Sequence, residues 1–144
     1  MSAERGKVFE KRFPNQLASL LATIEAAVHF LEQSGVRPSA VDLAHLAIEE
    51  MATNILKYGY DDTAVHDILL RVQIEPGALV ILLEDDGHEF DPLHAPEPDV
   101  QLPLEQREPG GLGIHLIRKL ASQIDYVRSG GRNRLTLKIA SSGP

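Results

Sequence analysis

The chain has 144 residues, a formal net charge of −7 and no cysteine. That length suits one domain, spanning 1–144, able to bury about two-thirds of the unfolded chain's surface, and 43% hydrophobic with 24% charged residues is ordinary for a globular protein. The acidic balance excludes broad binding to a nucleic-acid backbone, the missing cysteines exclude a disulfide framework or thiolate metal site, and no apolar run approaches the ~20 residues of a membrane span.

Met1-Ser2-Ala3-Glu4-Arg5 lacks the apolar core of a signal peptide, so a cytoplasmic location is expected. Lys7 to Phe13 reads as a first strand stopped by Pro14, with Asn15 as N-cap of the helix that follows. In that helix Leu17, Leu20, Leu21, Ile24, Val28 and Leu31 recur at helical spacing until Gly35. A second helix begins near Ser39 or Asp42 and stops at Gly59. Val41, Ala44, Ile48, Met51, Ala52 and Ile55 form its apolar stripe. Glu50, Asn54 and Lys57, at spacings of four and three, line up on another face, flanked by Leu43, Leu46 and Ala47.

His66–Ile74 and Ala78–Glu84 read as two strands joined by the Glu75-Pro76-Gly77 turn. From Asp86 to Pro109 the composition changes to five prolines, seven acidic residues and one basic residue, Arg107. A structureless loop of that length inside a small domain is usually functional. Leu112 to Ser122 is a third helix, with Leu112, His115/Leu116 and Lys119/Leu120 as one face. Ile124–Arg128 and Arg134–Ile139 form a closing hairpin around Gly130-Gly131. The order β-α-α-β-β-loop-α-β-β implies an α/β (α+β) two-layer sandwich: a mixed, mostly antiparallel sheet with three helices on one face.

Three stretches have chemical potential, each with a plainer alternative. Gly110-Gly111-Leu112-Gly113 opens a helix whose first amides suit a phosphate, or it is only a flexible helix entry. Glu84-Asp85-Asp86-Gly87 leaves an apolar strand, where a carboxylate is costly to bury without donors and could accept from an exocyclic amine; an Asp-Gly turn is the plain reading. Glu50 and Asn54 pair a general base with a carboxamide able to ligate Mg²⁺, or they belong to a solvated face; Glu49 falls on the outer side. The six histidines show no metal-ligand spacing, and there is no nucleophile elbow, Walker A lysine motif or dinucleotide fingerprint.

In order and spacing these stretches resemble the Bergerat-type ATP-binding fold of gyrase, heat-shock chaperone, histidine kinase and mismatch-repair ATPases, over about Phe13 to Ile139. Glu50-x-x-x-Asn54-x-x-Lys57-Tyr58 is similar to its N box, Asp85-x-Gly87 to its first glycine box and Gly110-Gly111-Leu112-Gly113 to its second. Glu50-Met51-Ala52-Thr53-Asn54, Phe90-Asp91-Pro92 and the run from Gly110 to Ile117 resemble most the branch of small anti-sigma factors and serine-protein switch kinases. The resemblance implies ATP and Mg²⁺ as ligands, with a lid at about 87–110. It implies Asp85 at the adenine amino group and Gly87 lining the base. Asn54 would hold Mg²⁺, with Lys57, Phe90, Gly110, Leu112 and the amides of Gly111 and Gly113 also in the nucleotide site. Glu50 would be the catalytic base, and Thr136 of the last strand would lie near the adenine.

The implied partners are a STAS-type anti-sigma-factor antagonist, phosphorylated on serine or threonine, and a sequestered sigma factor or similar regulator. Members of this branch often dimerise, although no apolar stripe here demands it. His88-Glu89 depart from the pattern, standing where many members have a small residue and glycine. Two other functions stay open: an ATP-dependent binding module without transfer, and a detached histidine-kinase catalytic domain. The phosphoacceptor helices missing from the sequence weigh against the latter.

Overall fold

In the last strand Leu135, Leu137 and Ile139 are buried while Arg134 and Lys138 are exposed, the period-2 pattern of a sheet covered on one face. The same alternation runs through Ile68, Leu70, Val72 and Ile74 and through Leu79, Ile81 and Leu83. These residues meet the apolar stripes of the helices in one core. The computed structural model describes residues 7–89, 91 and 111–141, with the backbone alone for 111–113.

The elements are β1 (Lys7–Pro14), α1 (Leu17–Gln33), α2 (Pro38–Tyr58), β2 (Asp67–Glu75), β3 (Ala78–Asp85), α3 (Gly111–Leu120), β4 (Gln123–Ser129) and β5 (Arg132–Ala140). The five strands lie in the order β1-β2-β3-β5-β4. Every pairing among the described residues is antiparallel, in keeping with the mostly antiparallel sheet expected from the sequence. Gly130 and Gly131 at φ 61° and 77° make the tight β4–β5 turn. No helix among the described residues is long and apolar enough to cross a membrane.

Two local expectations change. Asn15 does not cap α1; Gln16 holds that position without a side-chain cap. Asn15 instead exchanges hydrogen bonds with the backbone of His66, Oδ1 accepting from its N–H and the Asn15 N–H donating to its carbonyl, both at 2.9 Å. It ties the end of β1 to the start of β2. In α3 the core-facing residues are Ile114 and Ile117. Of the face read from the sequence, Leu116 and Leu120 turn outward, 42% and 51% exposed; the Leu112 side chain lies outside the described residues.

Candidate functional site

Asp85 closes β3 on the face that packs against the helices, opposite Asn133 of β5. The alternation that sends Leu83 into the core also sends Asp85 inward, and it is only 4% exposed. A carboxylate there requires donors. Asp85 Oδ1 accepts from the Gly87 N–H at 2.8 Å and from Asn133 Nδ2 at 3.0 Å. Oδ2 makes no hydrogen bond among the described residues.

Gly87 sits where backbone meets backbone. A Cβ there would lie 2.2 Å from the carbonyl oxygen of Gly59 and 3.0 Å from Asp85 Oδ1. The next residue, His88, donates its N–H to that same Gly59 carbonyl at 2.9 Å. The turn after β3 is thereby fastened to the end of α2, bringing Asp85 and Asn54 to one recess. Met51, Asn54, Ile55, Gly59, Asp85, His88, Tyr126, Asn133 and Leu135 line it. Its cavity volume is about 30 Å³, room for one or two waters, so a nucleobase needs these walls to part. A larger, open groove of about 800 Å³ runs along the outer side of α1, but its lining of Leu21, Val28, Glu25, His29 and neighbouring side chains includes none of the three motif stretches.

Asn54 is 6% exposed. Its Nδ2 donates to the Glu50 carbonyl at 2.7 Å, which fixes the amide orientation because a carbonyl only accepts. Asn54 Oδ1 therefore keeps its lone pairs, with no partner among the described residues. A hard cation such as Mg²⁺ takes oxygen donors and shares most of its coordination with phosphates and water, so this carboxamide fits one ligand position. Among the described residues no three His, Asp or Glu side chains converge as a protein-only metal cage.

Glu50 is half-buried one turn before Asn54, Glu49 is exposed, and Lys57 is exposed near the end of the helix. Neither Glu50 nor Lys57 lines the recess. The backbone of Gly111, Leu112 and Gly113 forms the first turn of α3, whose amides lack intrahelical acceptors. Phe90 and Gly110 lie outside the described residues. Thr136 does not come to the site. It pairs with Leu82 and Asp125 on the opposite face of the sheet, beside Arg71, Gln73, Val80, Leu82 and Arg134. The strand period separates it from Asn133, three positions earlier, which does reach the recess.

Asn133 is the residue sequence reasoning missed. Its signal was the Leu135-Leu137-Ile139 alternation, which assigns Asn133 to the inner face and Thr136 to the outer. Arg128 and Tyr126 of β4 reach the same place. Arg128 Nη1 donates to the Gly87 carbonyl at 2.6 Å and to Asn133 Oδ1 at 3.1 Å, and the Tyr126 hydroxyl donates to Asn133 Oδ1 at 2.5 Å.

Beside the recess His66 is paired with two carboxylates. His66 Nε2 meets Asp62 Oδ1 at 2.8 Å and Nδ1 meets Asp86 Oδ1 at 3.2 Å. These hydrogen bonds, Asp62's foremost, raise the His66 pKa and lower that of Asp62. The Tyr60 ring stacks on His66 with centroids 4.2 Å apart. Burial above all, then the charges of Asp85 and Asp86, pushes the Tyr60 phenol far upward; its buried hydroxyl has no partner among the described residues. On the outer face, burial pushes the Glu84 carboxyl up, but hydrogen bonds from Arg134 and Arg132 outweigh it and hold the pKa below the ordinary value.

A five-stranded antiparallel sheet packed on one face by helices, with a recess that brings the buried strand-end Asp85 to the helical Asn54, defines the α+β class of this domain. Residues 13–139 match the histidine kinase-like ATPase domain, and the chain belongs to that family. It is 30% identical over 100 residues, 67% of this chain and 68% of the relative, to the serine/threonine-protein kinase BtrW of Bordetella bronchiseptica. Its fold is similar to the RsbU and RsbW domains of Rv1364c from Mycobacterium tuberculosis (TM-score 0.68, 16% identity, 95% of this chain and 33% of that one). It is also similar to the SiaB–SiaC complex structure from Pseudomonas aeruginosa (TM-score 0.57, 18% identity, 92% of this chain and 90% of that one).

Proposed function

We propose that this chain is an ATP-binding regulator of the anti-sigma-factor type, which phosphorylates a STAS-type antagonist protein on serine or threonine and sequesters a sigma factor or similar regulator. The observation that carries the nucleotide reading is the recess itself: among the described residues, Asp85 keeps one carboxylate oxygen unshared and Asn54, which lines the same recess, keeps its amide oxygen uncommitted. The first supplies an acceptor for an amino group of the base, the second a ligand for Mg²⁺, which when bound neutralises phosphate charge. Kinase chemistry is supported by the relative named a serine/threonine-protein kinase.

In the transfer, the partner hydroxyl oxygen forms a bond to the γ-phosphorus, the bond to the β-bridging oxygen breaks, and ADP leaves. The hydroxyl proton passes to a base. Glu50 is the carboxylate on the N-box helix one turn from Asn54, so its role is to accept that proton. The α3 amides and Lys57 are assigned to the phosphates. Positioning and charge stabilisation account for most phosphoryl-transfer catalysis, so this small equipment is sufficient.

Labelled ATP incubated with the protein and its antagonist should label the antagonist on serine or threonine. Glu50→Gln should abolish transfer while leaving nucleotide affinity within about twofold. Equal transfer by the variant removes Glu50 as the base. Because Glu50 does not line the recess, a second reading has a specific basis: ATP shapes a partner-binding surface and no phosphate moves. ATP-dependent partner binding with no label on the partner would favour it.

A further inference from the structure

Every polar atom of the Asn133 amide is committed. Nδ2 donates to Asp85 Oδ1 at 3.0 Å and to the His88 carbonyl at 2.8 Å, with the Gly87 carbonyl at a marginal 3.5 Å. Oδ1 accepts from Tyr126 and Arg128. A carboxamide has two N–H donors and two oxygen lone pairs, so Asn133 has nothing left to offer a ligand. Its orientation is fixed as well. Asp85 and the carbonyls can accept from it, the guanidinium can only donate, and a reversed amide would oppose oxygen to oxygen at Asp85.

The consequence falls on Asp85. A carboxylate rotates readily about its last torsion; a half-turn only swaps two equivalent oxygens, but any smaller turn would re-aim the oxygen that meets the recess. With Gly87 N–H and Asn133 Nδ2 both on Oδ1, that rotation costs two hydrogen bonds at a 4% exposed site. Arg128 braces the same turn by holding the Gly87 carbonyl and Asn133 together.

We propose that Asn133, braced by Arg128 and Tyr126, is a positioning residue that sets base specificity by pinning Asp85 so that one carboxylate oxygen alone faces the recess. The proposal rests on reading that recess as the nucleotide site. A 6-aminopurine presents a donor at position 6 and an acceptor at N1; a 6-oxopurine presents the reverse. A pinned acceptor matched to position 6 meets an amino donor in the first and a carbonyl oxygen in the second. A carboxylate that swivels can move to the N1–H of an oxopurine, so loosening Asp85 should relax the choice rather than merely weaken binding.

The test measures ATP and ITP affinity by titration calorimetry on the full chain. Wild type should prefer ATP, and Asn133→Leu should shrink the ATP/ITP ratio on the order of tenfold. Asn133→Asp should lose ATP binding at neutral pH, where two carboxylates face each other, and regain it as the pH falls, because a shared proton restores a donor to Asp85. Besides Arg128 and Tyr126, His88 lies at this turn, with its pKa raised mainly by a backbone contact at Glu89. Rescue is therefore read against wild type at each pH.

A merely structural role would weaken both nucleotides alike and give no extra rescue at low pH. Either result overturns the proposal, and Asn133→Asp keeps the test open if Asn133→Leu does not fold. Asp85→Asn separates the two levels. If it loses ATP while the Asn133→Leu ratio is unchanged, the inference alone fails; if wild type binds neither nucleotide, the reading of the recess fails with it.

Discussion

A buried carboxylate with one oxygen held and one unshared is an acceptor aimed in advance, and among the described residues Asp85 has that form. Asp85→Asn replaces the charged acceptor at this point, and a hydrogen bond to a charged group is worth about 1.5–3 kcal/mol. ATP affinity should drop about 10- to 100-fold by calorimetry; an unchanged affinity would remove Asp85 from base recognition. His66 permits a pH prediction with a definite sign. Its folded-state pKa is raised above 6.5 by Asp62 and Asp86, so the stability its charge contributes is present below that value and is lost as the pH climbs through the raised one. Asp62, depressed by the same contact, contributes above its ordinary range and loses that as the pH falls. The pair is complete between the two. Melting temperature should therefore decline as pH rises above about 6.5, and His66→Gln should flatten that decline. Parallel wild-type and variant curves would sink the assignment.

At the scale of elements, the joint between the end of α2 and the turn after β3 holds the site together. Gly87→Ala would place a methyl 2.2 Å from the Gly59 carbonyl oxygen, a backbone atom that moves only by breaking the His88 to Gly59 hydrogen bond. Overpacking of this kind costs about 1–3 kcal/mol. Urea unfolding should show that loss, and a change within about 0.5 kcal/mol would mean the joint yields easily. The elements themselves were largely legible in the sequence, since helical stripes and strand alternation follow burial, and burial is what residues such as Ile48 and Leu70 obey. Three features were not. Asn15 has an N-cap's chemistry, but its oxygen is taken by His66, 51 positions later in the chain. Ile114 and Ile117, not Leu116 or Leu120, face the core, in one cluster with Ile48, Met51 and Ala52 of α2. Asn133 gains meaning only from its cross-strand partner Asp85, a pairing set by the β3–β5 register; the stretches Glu50–Asn54 and Asp85–Gly87 could be read because each is contiguous in the chain.

For the whole molecule, a net charge of −7 makes the approach of a polyphosphate unfavourable unless local devices oppose it. On the proposed reading the α3 amides would be one such device, and a cation for which Asn54 supplies an oxygen would be the other. Ligand that binds only the folded state stabilises by mass action, about 2.7 kcal/mol at a hundredfold excess over Kd. For a domain of this size that is a rise in melting temperature on the order of 5–10 °C. ATP with Mg²⁺ should produce such a shift, and ATP with a chelator should lose most of it, because the repulsion then goes unanswered at the one place screening is weakest. Asn54→Ala should resemble the chelated sample even with Mg²⁺ present, since the variant removes the oxygen but leaves α3 and Asp85 in place. If the shift is equal with and without chelator, the helix amides alone meet the charge. If Asn54→Ala keeps full Mg²⁺ dependence, the cation is held elsewhere and the N-box asparagine serves only to line the recess.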